Sequence, residues 1–243
     1  MPEPLFAPIP LPGPDVEGVV AGITPPLDAC GYPLDLAAPE DHLGPLQTVF
    51  GASGWPVYWI RQIHGSEVVE VSDAHPSGPI ATADALMTDR PGILLLTRHA
   101  DCPPVLVYDP VHRVLGLAHS GRKGTLSNIA GALVRAMSNA YGSIPADMVA
   151  SIGPGIRSCC YQVGEEVLEE AESGTDGRWF VRRRGDLFMD LQGMIASRLW
   201  EGGLHQVHGE HEAECTCCGP SRLHSYRHDG TKLRFAAVVG MLP

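Results

Sequence analysis

Short apolar segments separated by turn residues recur along the chain, and they constrain its fold more than any other feature. Each segment is rich in β-branched and aliphatic side chains, which predicts a strand. The predicted strands are Val57 to Arg61, Glu67 to Val71, Ile93 to Arg98, Val105 to Tyr108, Val114 to Ala118, Met148 to Ile152 and Leu233 to Val239. Because they outnumber the predicted helices and do not alternate with them regularly, we expect an α+β fold of mixed or antiparallel sheets flanked by helices.

Three helices are predicted between these strands. Apolar residues recur at three- and four-residue steps from Leu126 to Met137, behind Thr125, which we expect to cap the helix. A second helix is predicted from Leu187 to Trp200, behind Asp186, and a shorter one from Gly164 to Ala171. Residues 1–16 are rich in proline and are expected to form a loose arm, followed by a single catalytic domain at 17–243.

Three potential metal ligands lie at the ends of predicted strands. The turn Asp109–Arg113 predicts a hairpin, which would place Cys102 and His119 at the same end of two paired strands. His64 follows another strand. Two imidazoles and a thiolate suit Zn²⁺ with one position left open, which is the arrangement of a catalytic zinc site. Each residue taken alone would more often be a packed core residue or a surface histidine than a ligand, since the chain has 11 His and 7 Cys.

The other cysteines are expected to be free thiols or to form an adventitious disulfide. Seven is an odd number, and no secretion signal accompanies them, which favours a reducing compartment. The spacing from Cys215 to Cys218 is Cys-x-x-Cys, but a structural zinc site needs a second pair of ligands. Cys159 and Cys160 are adjacent and would point in opposite directions on an extended strand.

Composition and charge narrow the classes of partner. The formal net charge of −11 argues against a nucleic-acid or anionic-membrane surface, which would need clustered Lys and Arg. No apolar stretch approaches the roughly 18 residues of a membrane span. With 44% hydrophobic and 19% charged residues, the chain can bury a core of its own. We therefore expect a cytoplasmic protein, monomeric or a small homo-oligomer.

Several motifs in one order resemble a known family. They are Ala83 to Gly92, Ala100 to Pro110, Gly116 to Gly121, Ile152 to Gly164, Cys215 to Cys217 and Ser225 to Gly230. This set is similar to the laccase-domain family, also called multicopper polyphenol oxidoreductases. The resemblance implies a layered sandwich of helices on β-sheets. It also implies zinc-dependent phosphorolysis of purine nucleosides together with adenosine deamination, so the expected ligands are one Zn²⁺ per chain, a nucleoside and phosphate.

Two departures from the family pattern bear on the substrate. The family's Ala-Gly-Trp-Arg-Gly run is replaced by Ser120–Gly124, and an arginine of the family's N-terminal segment is missing from the stretches up to Leu36. Phosphate would then be held by cationic residues in or next to the motifs, which are Arg122, Lys123, Arg157, Arg98 and Arg227, although surface exposure alone is a fair explanation of Arg98 and Arg227. We favour the first two, since they precede the predicted helix, whose N-terminus offers further donors to an anion.

Other functions stay open at this level. A copper polyphenol oxidase would need a three-copper cluster and paired His-x-His spacings, and the sequence contains no such spacing. A metal-free cysteine hydrolase could use Cys102 as nucleophile and His119 as base. A binding homologue without activity is the third alternative. His99 is expected to face away from the ligands, and Asp101 to support them rather than to react.

Overall fold

Strands and helices alternate irregularly along the part of the chain that the computed structural model describes, residues 17–26, 35–72, 74–172 and 177–243. Within these ranges the strands are β1 Val19–Ile23, β2 Val57–Arg61, β3 Val68–Glu70, β4 Gly78–Thr82, β5 Ala85–Thr88, β6 Leu94–His99, β7 Pro104–Asp109, β8 Val114–His119, β9 Val149–Ile152, β10 Gln162–Val163, β11 Phe180–Arg183, β12 Asp186–Met189, β13 Gln206–His208 and β14 Phe235–Met241. The α-helices are α1 Leu43–Val49, α2 Arg122–Leu126, α3 Ile129–Tyr141, α4 Glu165–Glu172, α5 Leu191–Glu201 and α6 Tyr226–Asp229. Short 3₁₀ helices cover Pro39–His42, Pro145–Asp147 and Gly177–Trp179. The proline-rich arm expected at residues 1–16 lies outside the described residues.

Two large sheets and one small sheet organise these strands. The order is β1-β14-β6-β2-β4 in the five-stranded sheet, β13-β9-β7-β8-β5-β3 in the six-stranded sheet and β10-β12-β11 in the small one. Both large sheets are mixed: β2 runs parallel to β6, which is antiparallel to β14, and β9 runs parallel to β13 but antiparallel to β7. The expected α+β class with mixed sheets is confirmed.

The two large sheets stack on each other through an apolar layer. Leu95 and Phe235 contribute to this layer from the five-stranded sheet, and Leu106 and Leu117 from the six-stranded one. Side chains of successive strand residues point to opposite faces, so the neighbouring Val105 belongs to the next layer.

Helices cover the outer faces of both sheets. Val105 and Val107 of β7 pack in one cluster with Leu133 of α3 and Leu199 of α5, outside the six-stranded sheet. On the far side of the five-stranded sheet, Leu46 of α1 joins a separate cluster. The result is a layered sandwich of helices on sheets. None of the helices in the described ranges has the length and apolar character that a membrane crossing requires.

The predicted hairpin is present as β7 and β8. Pro104 lies opposite His119 at one end, and Asp109 lies opposite Val114 at the turn. The buried Asp109 carboxylate closes the turn, since it accepts hydrogen bonds from the backbone amides of residues 111 and 112 and pairs with the imidazole of His112 at 2.8 Å. The seven predicted strands all coincide with observed ones to within two residues at each end.

The predicted start of the first long helix is wrong by three residues. Helix α3 begins at Ile129, and its cap is Asn128, whose side-chain oxygen accepts a hydrogen bond from the Gly131 amide at 2.9 Å. Thr125 belongs instead to the short helix α2, where its hydroxyl donates to the Gly121 carbonyl at 2.9 Å. The chain reverses between the two helices through Asn128, which has a φ of +57°.

The second helix also begins later than predicted. Leu187 lies in β12, and α5 begins at Leu191 behind Asp190, whose carboxylate accepts from the Gly193 amide at 3.2 Å. An acidic residue occurs both at Asp186 and at the true cap, so the sequence offered two equivalent starts. The third helix, α4, matches its prediction.

Replacement of Asn128 tests the cap and its backbone conformation together. We expect Asn128→Ala to lower the free energy of unfolding by about 1 to 2 kcal/mol. The change removes the cap, and alanine tolerates the positive φ of this position less well than asparagine. Asn128→Gly should cost only a few tenths of a kcal/mol, because glycine tolerates both roles. Urea unfolding would measure the two values. Equal losses of unfolding free energy in the two variants would contradict the importance of the left-handed conformation at residue 128.

Candidate functional site

Three donor side chains meet where the ends of the two large sheets come together. His64 follows β2, Cys102 precedes β7 and His119 ends β8. One ligand atom from each of the three lies within 4.8 Å of the other two. The imidazole rings of His64 and His119 are 4.9 Å apart between centroids and nearly perpendicular, at 82°. The structure therefore brings together the residues that the sequence nominated as a ligand set.

A buried carboxylate, Asp84, positions both histidines. It accepts hydrogen bonds from the backbone amides of Ile63, His64 and Gly65, at 3.1, 2.9 and 2.7 Å. Its Oδ1 atom also lies 2.9 Å from Nδ1 of His119. With Nδ1 carrying the proton of that hydrogen bond, Nε2 of His119 is the nitrogen left to face the site.

Sequence reasoning missed Asp84, although the motif that contains it was recognised. The residue immediately precedes the fully buried strand segment Ala85–Leu86 and is itself 0% exposed. An acidic residue beside an apolar strand needs compensating donors if it is buried, and that was the available signal. The donors also hold His64 at a φ of +61°, in the left-handed region that few non-glycine residues occupy.

A glycine leaves room beside the three donors. A Cβ atom on Gly121 would lie 2.8 Å from Sγ of Cys102 and 2.9 Å from Cδ2 of His64. Any side chain at this position would press on two of the three donors. Because Gly121 has no side chain, Cys102 and His64 have the room that a shared metal ion requires.

The Cys102 thiol and the His119 imidazole shift each other's pKa in opposite directions. Burial would raise the pKa of Cys102, but the charge of His119 and hydrogen bonds from both histidines outweigh it and lower the pKa from 9.0 to about 6. Burial would lower the pKa of His119, but the Cys102 thiolate and Asp84 raise it to about 9. Without a metal, the pair is therefore a thiolate and an imidazolium at neutral pH, and thiolate is the form that binds metals and attacks electrophiles.

A cavity of about 580 Å³ opens beside the three donors. Its wall contains four cationic side chains, two phenols and a single acidic residue, which are Arg98, Arg227, Lys232, Arg234, Tyr161, Tyr226 and Asp101. The carboxylate of Asp101 is occupied, because it accepts from the hydroxyls of Thr216 and Ser225 and from the Arg227 amide at 2.7, 2.6 and 2.7 Å. The cavity wall is therefore predominantly cationic in a chain of net charge −11.

His99 lies next to the site but is not one of the donors. Its Nδ1 atom is 2.9 Å from the Cys102 carbonyl oxygen, and its Nε2 atom is 2.8 Å from the Thr97 hydroxyl. Both ring nitrogens are thus used inside the protein. Burial, reinforced by the nearby His119, lowers the pKa of His99 well below its ordinary value, so the ring is neutral.

Three of the expected phosphate ligands do not line this cavity. The guanidinium of Arg157 donates to the carbonyls of residues 210, 211 and 213. Arg122 forms an ion pair with Glu170 at 2.9 Å. Lys123 is exposed on α2. The cationic groups that do line the cavity are Arg98, Arg227, Lys232 and Arg234. The sequence had offered Arg98 and Arg227 as candidates, but it favoured Arg122 and Lys123.

Comparison with known proteins places the chain in a family. The sequence model of multi-copper polyphenol oxidoreductase laccases matches residues 40–242. The chain belongs to the multi-copper polyphenol oxidoreductase laccase family. A relative from Streptomyces griseus, named purine nucleoside phosphorylase ORF3, is 36% identical over 185 residues, which is 75% of this chain and 73% of the relative. A Deinococcus radiodurans protein named purine nucleoside phosphorylase is 36% identical over 184 residues, covering 75% of this chain and 69% of its own.

Solved structures of other proteins share the laccase-family fold. The Bacillus licheniformis hypothetical protein YfiH superimposes with a TM-score of 0.82 over 92% of each chain, at 27% identity. YlmD from Geobacillus stearothermophilus superimposes with a TM-score of 0.83 over 98% of this chain and 99% of its own, at 24% identity, which supports the fold alone. The layered architecture is thus common to this laccase-family chain and its structural neighbours.

The electrostatic pairing of Cys102 and His119 can be tested in metal-free protein. Alkylation of Cys102 should accelerate as the pH rises through about 6, because the thiolate is the reactive form and its pKa is lowered. His119→Gln removes the imidazolium and should move the inflection upward, towards 9.0. Peptide mass spectrometry would follow Cys102, with Cys217 as internal reference, since burial raises the pKa of Cys217. A wild-type inflection near 9 would contradict the pairing.

The role of Asp84 can be tested by an isosteric change. In Asp84→Asn the amide donates to Nδ1 of His119, so the proton moves to Nε2 and that nitrogen can no longer bind a metal. We expect the affinity for Zn²⁺, measured by competition with a chromophoric chelator, to fall about 10- to 100-fold.

Asp109→Asn is the matched control for Asp84→Asn. Asp109 is also fully buried and also accepts from backbone amides and a histidine, but it lies at the opposite end of the hairpin. This variant should lose stability and keep its Zn²⁺ affinity. Equal losses of affinity in the two variants would indicate general destabilisation instead of histidine positioning.

Proposed function

We propose that this protein is a zinc-dependent enzyme that acts on purine nucleosides, by phosphorolysis, by deamination of adenosine, or by both. The observation that carries the proposal is the convergence of His64, Cys102 and His119 beside a cationic cavity. Relatives named purine nucleoside phosphorylase support the substrate class.

The donor set fits Zn²⁺. Two imidazoles and a thiolate are borderline and soft ligands, and three protein ligands leave a fourth position open. Asp84 orients His119 from behind, as carboxylates do at many zinc sites. When bound, Zn²⁺ would supply a Lewis acid next to the cavity. Without the metal, Asp84 would still position His64 and His119, and the absence of a side chain at Gly121 would still leave room for Cys102.

The cavity suits a nucleoside together with an anion. Its volume of about 580 Å³ falls within the range of small-molecule sites. Tyr226 is 63% exposed on the cavity wall and offers an aromatic face on which a purine can stack. Burial raises the pKa of Tyr161, so that its hydroxyl stays protonated and can donate a hydrogen bond to substrate.

The cationic wall would hold phosphate. Arg227 stacks over the Tyr161 ring at 5.0 Å, and its Nη1 atom donates to the Gln162 carbonyl at 2.6 Å, which fixes its guanidinium at the cavity edge. Lys232 is exposed at the same edge. In phosphorolysis a phosphate oxygen bonds to the ribose anomeric carbon, the bond to the base breaks and the base takes up a proton. In deamination water replaces the exocyclic amine, which leaves as ammonia.

A metal-free cysteine hydrolase is the second candidate. The thiolate–imidazolium pair of Cys102 and His119 favours it, because this pair is also the resting state of a cysteine nucleophile. A laccase with four coppers has less support. Among the described residues, the groups able to hold a metal are the three donors above and one cluster of four cysteines. A three-copper centre would need many more histidines.

Product analysis decides between these candidates. We expect purified protein to release free base from inosine, guanosine or adenosine only when phosphate is present, with ribose 1-phosphate as co-product, or to release ammonia from adenosine. Chelation should abolish turnover and Zn²⁺ should restore it. Turnover that survives chelation and disappears on alkylation of Cys102 would favour the hydrolase. Oxidation of a phenol with copper bound would favour the laccase.

Two lysines locate the phosphate site. Lys232→Ala should lower kcat/KM for phosphate by about 10-fold. This loss is at the lower end of what a charge-assisted hydrogen bond contributes, because the Lys232 side chain is exposed and solvent screens its charge. Lys123→Ala removes a similarly exposed lysine outside the cavity wall and should have little effect. Adenosine deamination in the same preparations is the control, because it needs no phosphate. The reverse pattern would place phosphate at the N-terminus of α2.

A further inference from the structure

Four cysteines from two separate loops form a second cluster. Cys159 and Cys160 lie between β9 and β10, and Cys215 and Cys218 lie between β13 and α6. Their Sγ atoms are all within 4.8 Å of one another, and those of Cys159 and Cys218 are 3.5 Å apart. Cys159 and Cys160 would point apart only on an extended strand, and they lie instead in a turn closed by the hydrogen bond from the Cys160 amide to the Arg157 carbonyl.

Contacts outside the cluster hold the two loops together. Gly155 and Cys215 form an isolated bridge, in which the Gly155 amide donates to the Glu214 carbonyl at 3.3 Å and the Thr216 amide to the Gly155 carbonyl at 3.1 Å. The Arg157 guanidinium reaches across to three carbonyls of the second loop. The four thiols are therefore brought together by the protein without help from an ion.

The geometry matches a tetrahedral thiolate site. With Zn–S bonds of about 2.3 Å, tetrahedral sulfurs lie about 3.8 Å apart. The Sγ atoms of Cys159 and Cys218 are 3.5 Å apart, and no pair in the cluster exceeds 4.8 Å, so the four thiols need little movement to reach that spacing. Cys215 and Cys218 have the Cys-x-x-Cys spacing, and the Arg157 amide donates to Sγ of Cys215 at 3.5 Å, a bond that favours thiolate. Arg183 hydrogen-bonds to the carbonyl of Ser158 and brings positive charge next to the cluster.

We propose that Cys159, Cys160, Cys215 and Cys218 bind a second Zn²⁺ in a closed, structural site. Four protein ligands leave no position for substrate, in contrast to the three donors at the cavity. This proposal stands apart from the proposed function, since it concerns other residues and another kind of site.

The second site would fix one wall of the cavity. Ile156 and Tyr161, on either side of the first cysteine pair, line the cavity. In the second loop, the Thr216 hydroxyl donates to Asp101, the residue before Cys102. An ion that joins the two loops therefore holds cavity residues in place from outside the cavity.

Metal stoichiometry tests the proposal. Full-length chain is prepared metal-free under reducing, anaerobic conditions and titrated with Co²⁺ and with Zn²⁺. Wild-type protein should bind two equivalents and Cys102→Ala one. The remaining Co²⁺ should show the intense visible bands of tetrahedral thiolate coordination. In the Cys102→Ala background, Cys218→Ser or Cys159→Ser should remove this last equivalent. Cys217→Ser should retain it, because the Cys217 thiol contacts Cys160 but is not one of the four grouped ligands.

Three results would overturn the second site. One is that Cys102→Ala binds no metal, and another is that Cys217→Ser abolishes binding as fully as Cys218→Ser. The third is a Cys159–Cys218 disulfide, found by mass spectrometry, in protein isolated under the same reducing conditions. If the serine variants do not fold, the number of equivalents that Cys102→Ala binds still decides, since one supports the second site and none overturns it. Loss of nucleoside turnover has no part in this test, so failure of the proposed function would remain distinguishable.

Discussion

The buried carboxylate of Asp84 is the interaction on which the geometry of the candidate site depends. It joins the loop after β2, which belongs to the five-stranded sheet, to His119 of the six-stranded sheet. A buried charge is costly unless donors surround it, and here three amides and an imidazole do so. Burial alone would raise the pKa of Asp84, but these donors together lower it, so the group stays ionised. One anion therefore fixes the position of both histidines.

The register of the β7–β8 hairpin places Cys102, the third donor, beside His119. Because successive strand residues face opposite sides, a slip of one residue would turn His119 away from Cys102 and exchange the side chains of two buried faces. Packing resists such a slip. A Cβ atom on Gly116 of β8 would lie 2.8 Å from a methyl group of Leu133, so α3 approaches the strand closely at that one position. The site thus inherits its precision from the core beneath it.

Local patterns predicted the elements, and long-range contacts determined what the sequence could not show. Apolar, β-branched segments on either side of the turn Asp109–Arg113 predicted the hairpin, and donor chemistry predicted the group of His64, Cys102 and His119. The function of Asp84 depends on partners 19 to 35 residues away, and periodicity carries no such information. Arg157 has the chemistry of a phosphate ligand, yet carbonyls of a loop more than 50 residues away engage its guanidinium. More than 50 residues also separate Cys159 and Cys160 from Cys215 and Cys218.

Charge at the site is distributed very differently from charge in the chain as a whole. A net charge of −11 repels anions on average, and the candidate site adds the Asp84 carboxylate and the Cys102 thiolate. An anionic substrate could approach these groups only if cations outweighed them locally. The four cationic side chains of the cavity wall and the imidazolium of His119 provide that excess. A divalent ion on the three donors would increase it further, so under the proposed function metal binding and the admission of phosphate would favour each other.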